Sequence, residues 1–131
     1  MEYTHGIKTL LADSAAVTAL VGTKIYPIEA PSGTTLPFVT YEPTGTTIYH
    51  TKERAEYQQA RVEIVGYAST YADAVYLGSK IRAALSRKSI QASTPYKYII
   101  DNIYLQDDEI ERLEEPDRYA YVLEVEAFVI L

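Results

Sequence analysis

Few residues of this chain are of the kinds that do chemistry. It has two histidines, His5 and His50, and no cysteine. Without cysteine there is no thiolate metal site and no disulfide framework. Neither histidine has a partner at a spacing such as H-E-x-x-H, which sets two ligands on one helical face. Gly22 and Gly33 are isolated. A phosphate cradle needs several neighbouring N–H groups freed by glycine, as in G-x-G-x-x-G or G-x-x-x-x-G-K-[ST]. There is no G-x-S-x-G turn to expose a nucleophilic serine. The residues therefore predict no catalytic group, no cofactor site, no metal site and no enzyme.

One concentration of charge stands out. From Asp107 to Asp117 there are seven acids and one arginine, while the whole chain of 131 residues has a net charge of −6. The rest is therefore balanced, and no basic footprint of a nucleic-acid binder is present. Asp107-Asp108-Glu109-Ile110-Glu111 lacks the turn glycine and alternating ligands of a calcium loop. Two readings remain. The segment is a solvated hairpin or strand end, or it is an electronegative assembly surface that repels DNA.

The elements that position these groups follow from periodicity. Tyr3 to Asp13 reads as a short helix with Ile7, Leu10 and Leu11 on one face. Asp13-Ser14 offers a new cap, Ala15 to Val21 continues helical, and Gly22 is placed to end it. Ile25-Tyr26 is briefly extended and closed by Pro27; Glu29 to Thr35 is a loop. Leu36-Pro37 opens a strand, Phe38 to Tyr41, that ends near Pro43, and both prolines suit a sheet edge or a strand end. Pro43 to Glu56 reads as a long, polar hairpin arm. Ala60, Val62 and Ile64 alternate with Arg61 and Glu63 in a half-buried strand. Ser69-Thr70 then caps a helix whose apolar stripe is Tyr71, Ala74, Val75, Gly78, Ile81 and Leu85. Gly78 in mid-helix implies a close approach, with the sheet as the neighbour. After a connector, Tyr96 to Gln106 has strand composition. In the last strand, Tyr119 to Leu131, one face carries Tyr121, Leu123, Val125, Ala127 and Val129 and the other Glu124 and Glu126. Phe128 and Ile130 fall on that polar face, which suggests cover from another subunit.

The fold expected is one α+β domain over residues 1–131: a mostly antiparallel four- to five-stranded sheet with helices on one face and an arm at about 43–56. Thirteen tyrosines against two phenylalanines and no tryptophan fit either interfaces or a tyrosine-tolerant sheet. No signal peptide and no transmembrane helix is expected, since Asp13 breaks the first apolar run and Glu124 and Glu126 the last.

Taken in order, SAAVTALVG-TKIYP, LPFVTYE, ARVEIVGYA leading into STYADAVYLGSKIRAAL, and DRYAYVLEVEAFVIL resemble the tail completion, or tail terminator, proteins of long-tailed bacteriophages and prophages. The resemblance covers nearly the whole chain and rests on hydrophobic patterns. It implies a structural virion protein at the head-proximal end of the tail, made in the bacterial host cytoplasm. Such proteins form a ring, commonly a hexamer, that ends tail tube growth and joins the tail to the head connector. The implied partners are other copies of the chain, the tail tube protein and a head connector or stopper protein. DNA passes through the channel without specific binding, and no membrane is involved. On this reading Thr46, Ile48, Tyr49 and His50 of the arm, with Phe128 and Ile130, are candidate assembly contacts, against the alternative that the arm folds back on its own domain. Deleting Thr46 to Thr51 is then expected to spare the fold and abolish assembly. Asp107, Asp108, Glu109, Glu111, Glu114 and Glu115 are candidates to face the channel. The rival readings are a tube or connector protein of the same morphogenetic region, and a soluble binding module or small enzyme with a ligand pocket.

Overall fold

The computed structural model describes residues 1–50, 56–114 and 117–131; Glu115 and the 51–55 part of the expected arm lie outside the described residues. Helix α1 (Tyr3–Asp13) buries Tyr3, Gly6, Ile7 and Leu11. Helix α2 (Ala15–Val21) starts at Ser14, whose Oγ accepts the Val17 N–H at 3.3 Å. It stops at Gly22, where φ is +63°, a conformation that glycine adopts without steric cost. Strands β1 (Ile25–Pro27), β2 (Phe38–His50) and β3 (Glu56–Ala68) follow, then helix α3 (Tyr71–Leu85), β4 (Ile90–Ala92), β5 (Tyr98–Leu113) and β6 (Arg118–Ile130). Thr70 Oγ1 accepts the Asp73 N–H at 3.1 Å and caps α3, as its sequence predicts.

The strands form one six-stranded sheet in the order β1-β2-β3-β6-β5-β4. β1 runs parallel to β2; every other pair is antiparallel. The α+β class agrees with the sequence reading, but the strand count does not. β1 and β4 have three residues each, too few to show a period of two. β2 also continues past Pro43 to His50, with a register shift between Pro43 and Gly45. Pro43 is tolerated because β1 covers only Val39–Tyr41, so β2 is an edge strand from there on. β5 likewise runs beyond Gln106 and carries the acidic stretch into its hairpin with β6.

All three helices pack on one face of the sheet. Ile7 and Leu11 of α1, Val17 and Val21 of α2, and Leu77, Ile81 and Leu85 of α3 share one core with Val62, Ile64, Ile103, Leu123, Val125 and Ala127. Each large aliphatic side chain buried there contributes about 1.5–3 kcal/mol. The buried face of α3 is rotated from the expected stripe. Leu77 and Ala84 face inward, whereas Tyr71 and Val75 are exposed. Two glycines set this rotation. A Cβ on Gly66 of β3 would meet Leu77 Cδ2 at 2.9 Å, and one on Gly78 would meet the Tyr121 ring at 2.5 Å. The close approach expected at Gly78 is thus real, and its partner is a sheet residue.

Candidate functional site

The helix-free face of the sheet carries the most organised charge. Across four strands, Glu42 stands opposite Glu63, Glu63 opposite Glu124, and Glu124 opposite Asp107. Directly opposed residues have Cβ atoms about 4.5–5.5 Å apart, and like charges so placed repel. Glu109 and Glu111 continue along β5 on the same face, opposite Val122 and Ala120. Burial, and then the charges of Glu42, Glu124, Glu111 and Glu109, hold the Glu63 carboxyl above its ordinary value. No group of three or more His, Cys, Asp or Glu among the described residues is arranged to hold a metal ion. The row is an electronegative stripe rather than a coordination site.

The acidic segment does not act as a unit. Asp107, Glu109 and Glu111 lie on the stripe. Asp108 turns to the helix face, where Tyr121 Oη donates to its Oδ2 at 2.8 Å and Arg82 Nη1 stands 3.5 Å from the same oxygen. Burial and the bond to Asp108 raise the Tyr121 phenol above its ordinary value. Glu114 is exposed at the β5–β6 turn. The sequence missed Glu42 as a member of the stripe. Its signal was present, because Glu63 and Glu124 mark the polar face of two alternating strands, but only the strand register aligns all three.

The candidate assembly contacts are distributed over both faces. Thr46 and Ile48 follow the helix side of β2, while Thr47 and Tyr49 follow the stripe side. Arg61 Nη1 donates to Thr47 Oγ1 at 3.3 Å. Tyr49 stacks on Tyr57 at 5.0 Å, Tyr57 lies 6.1 Å from Phe128, and Phe128 meets Tyr104 edge-on at 5.3 Å. The Arg87 guanidinium sits 4.5 Å over Tyr104. This aromatic row crosses four strands and partly covers Phe128 within its own chain. Ile48 and Ile130 are left 51% and 44% exposed. His50 ends β2, paired in register with Glu56. Thr46 to His50 thus form one side of a hairpin, paired with Glu56 to Ala60, and deleting them would strip β3 of a neighbour.

Two clefts border these surfaces. One, of about 360 Å³, lies beside the Phe38–Tyr67 stack and includes Glu29, Thr40 and Arg118. The other, of about 280 Å³, is a groove between α3 and β5 lined by Val75, Ser79, Arg82, Ile110 and Tyr121. Asp108 and Glu109 also line the second, and neither lining includes a histidine.

Comparison with known proteins gives two findings. The family model described as "Tail completion protein gp17" matches residues 6–130. A chain in the solved structure titled "Virion of native gene transfer agent (GTA) particle" shares the fold, with a TM-score of 0.74, 20% identity, and coverage of 95% of this chain and 92% of that one. Among the curated proteins none matches this chain.

Proposed function

This chain belongs to the tail completion protein gp17 family, and from that premise we propose that it forms a ring at the head-proximal end of the tail. As a member of that family it is a structural component of a phage-type tail. The ring ends tube growth and joins the tail to the head connector, with DNA passing through its channel. The observation that carries the channel assignment is the stripe Glu42, Glu63, Glu124 and Asp107 on the face free of helices. A wall of uniform negative charge repels a polyanion in transit. The aromatic row beside it gives the same face a stiff, packed surface. The ring number expected is six, and the partners are the tail tube protein and a connector or stopper protein.

The deciding measurement is the solution mass over a concentration series, followed by electron microscopy of the assembled species. A discrete species that saturates at a small multiple of 14.7 kDa fits a ring; unlimited growth fits a tube protein. Added chain should cap isolated tail tubes and block their elongation. A ring with the stripe on its outer wall would remove the channel assignment. Reversing Glu63, Glu124 and Asp107 to lysine should make the assembled ring retain DNA at low salt and release it at high salt.

A further inference from the structure

The sheet is half open at both edges, and the two open halves lie at opposite ends. β1 covers only Val39–Tyr41 of β2, and β4 covers only Tyr98–Ile100 of β5. Among the described residues no second strand flanks β2 on its outer edge from Thr44 to Tyr49, or β5 on its outer edge from Asp107 to Arg112. Open edges are templates for another strand unless charge, proline or a bulge protects them. Thr46, Thr47, Ile48 and Tyr49 carry no such protection. The β5 edge carries Asp107, Asp108, Glu109 and Glu111, which repel a second copy of themselves and accept an uncharged strand.

We propose that the open half of β2 in one copy pairs antiparallel with the open half of β5 in the next, so that the sheet continues from subunit to subunit. This rests on the ring reading above and specifies its interface. The contact is heterologous, the kind that closes rings; the two-fold β5–β5 alternative sets acids against acids. Strand polarity permits it, because β2 and β5 run in opposite directions across the sheet. A register that keeps the striped faces together places Thr47 opposite Glu109 and Tyr49 opposite Asp107 of the neighbour. It also places Ile48, 51% exposed, opposite the neighbour's Asp108, which Arg82 and Tyr121 already engage, and diagonally beside Ile110 at the groove that contains Val75, 42% exposed. Two apolar surfaces left bare by the single chain thereby cover each other.

The register sets the geometry of the assembly. Within one chain Thr46 stands level with Ile103, through Ala60 and Ala127. Pairing Thr46 with a neighbour's Ile110 slides that neighbour about six residues along the strands, or about 20 Å at about 3.3 Å per residue. Because β1 and β4 lie outside the paired halves, the repeat is the four strands β2, β3, β6 and β5; at about 4.8 Å they span about 19 Å, so strands in a level ring tilt by about 45° from the axis, at the upper end of the range of closed barrels.

The absence of cysteine makes cross-linking unambiguous. Full-length chain carrying Thr47→Cys and Glu109→Cys is oxidised after light scattering has recorded its mass. The result expected is a disulfide ladder up to the ring number, with each single variant remaining monomeric on a denaturing gel. Partners at Asp107→Cys and Glu111→Cys bracket a register two residues either way. A discrete oligomer with no ladder from any pair overturns the edge pairing and leaves the ring standing. Disulfide dimers from Glu111→Cys alone establish the two-fold contact and overturn it as well. A chain that stays monomeric both alone and on isolated tail tubes overturns both readings. Ile48→Asp guards against misfolded cysteine variants: it should keep the parent melting temperature and lose the high-mass species, and retention of that species counts against the proposal.

Discussion

Glu63 is the residue on which the stripe bears hardest, because it has an acid directly opposite it on each side and is half-buried. Burial first, and then the neighbouring acids, hold its carboxyl above the ordinary 4.5. At neutral pH the group is ionised in both folded and unfolded chains, and the folded chain alone bears the repulsion. As pH falls through the raised value, the folded chain takes up the proton and the penalty shrinks; below 4.5 it is gone. Glu63→Gln should therefore stabilise at pH 7 by about 0.5–1 kcal/mol, and the gain should vanish as pH approaches 4.5. Denaturant midpoints at several pH values measure it, and a gain that is flat with pH rejects the repulsion account. Gly78 gives the opposite lesson. Helix propensity alone makes Gly78→Ala stabilising by about 1 kcal/mol. The Tyr121 ring, 2.5 Å from the new Cβ, makes it destabilising by about 1–3 kcal/mol through overpacking, which thermal melting distinguishes by sign.

At the scale of elements, long periodic segments were legible and short ones were not. α3 spans 15 residues and β6 spans 13, enough turns or alternations for a pattern to repeat. β1 and β4 exist because a neighbour supplies hydrogen bonds, and three residues cannot announce that. The face of α3 was legible only to within one row of side chains, since Val75 and Leu77 flank the same stripe and the glycine contacts choose between them. The expectation that residues 46–51 form a dispensable arm meets the pairing of Thr46–His50 with Glu56–Ala60. Their deletion should lower the unfolding midpoint by more than Ile48→Asp does, because it removes ladder hydrogen bonds as well as one side chain. Equal midpoints would mean that this half of β2 adds nothing to the fold.

For the whole molecule, charge and assembly are linked. The net charge is −6, and the proposed ring brings several stripes into one channel. Salt screens exposed charges with a length of about 10 Å at 0.1 M. Raising salt from about 0.05 to about 0.5 M should therefore shift the mass distribution toward the closed species. Dissociation on adding salt would instead show that attraction between charges holds the copies together. The expectation also separates the interface from the channel: Glu63→Gln should reduce the salt dependence without changing the limiting mass.

The sequence by itself determined the absence of thiol chemistry, the caps at Ser14 and Thr70, the inward row of β6 and the place of the acidic stretch. These depend on residue type or on local spacing. Tertiary structure decided which acids act together. Between Leu105 and Asp107 the β5 register shifts by one residue, with Gln106 as the extra one. Ile103 and Leu105 face the helices before the shift, and Asp108 and Ile110 face them after it. A strand without that bulge would turn Asp107 inward and Ile110 outward, because side chains alternate with a period of two. The stripe therefore owes its composition to one unpaired residue and to the registers that bring Glu42, Glu63 and Glu124 level with Asp107, distances along the chain that no local pattern encodes.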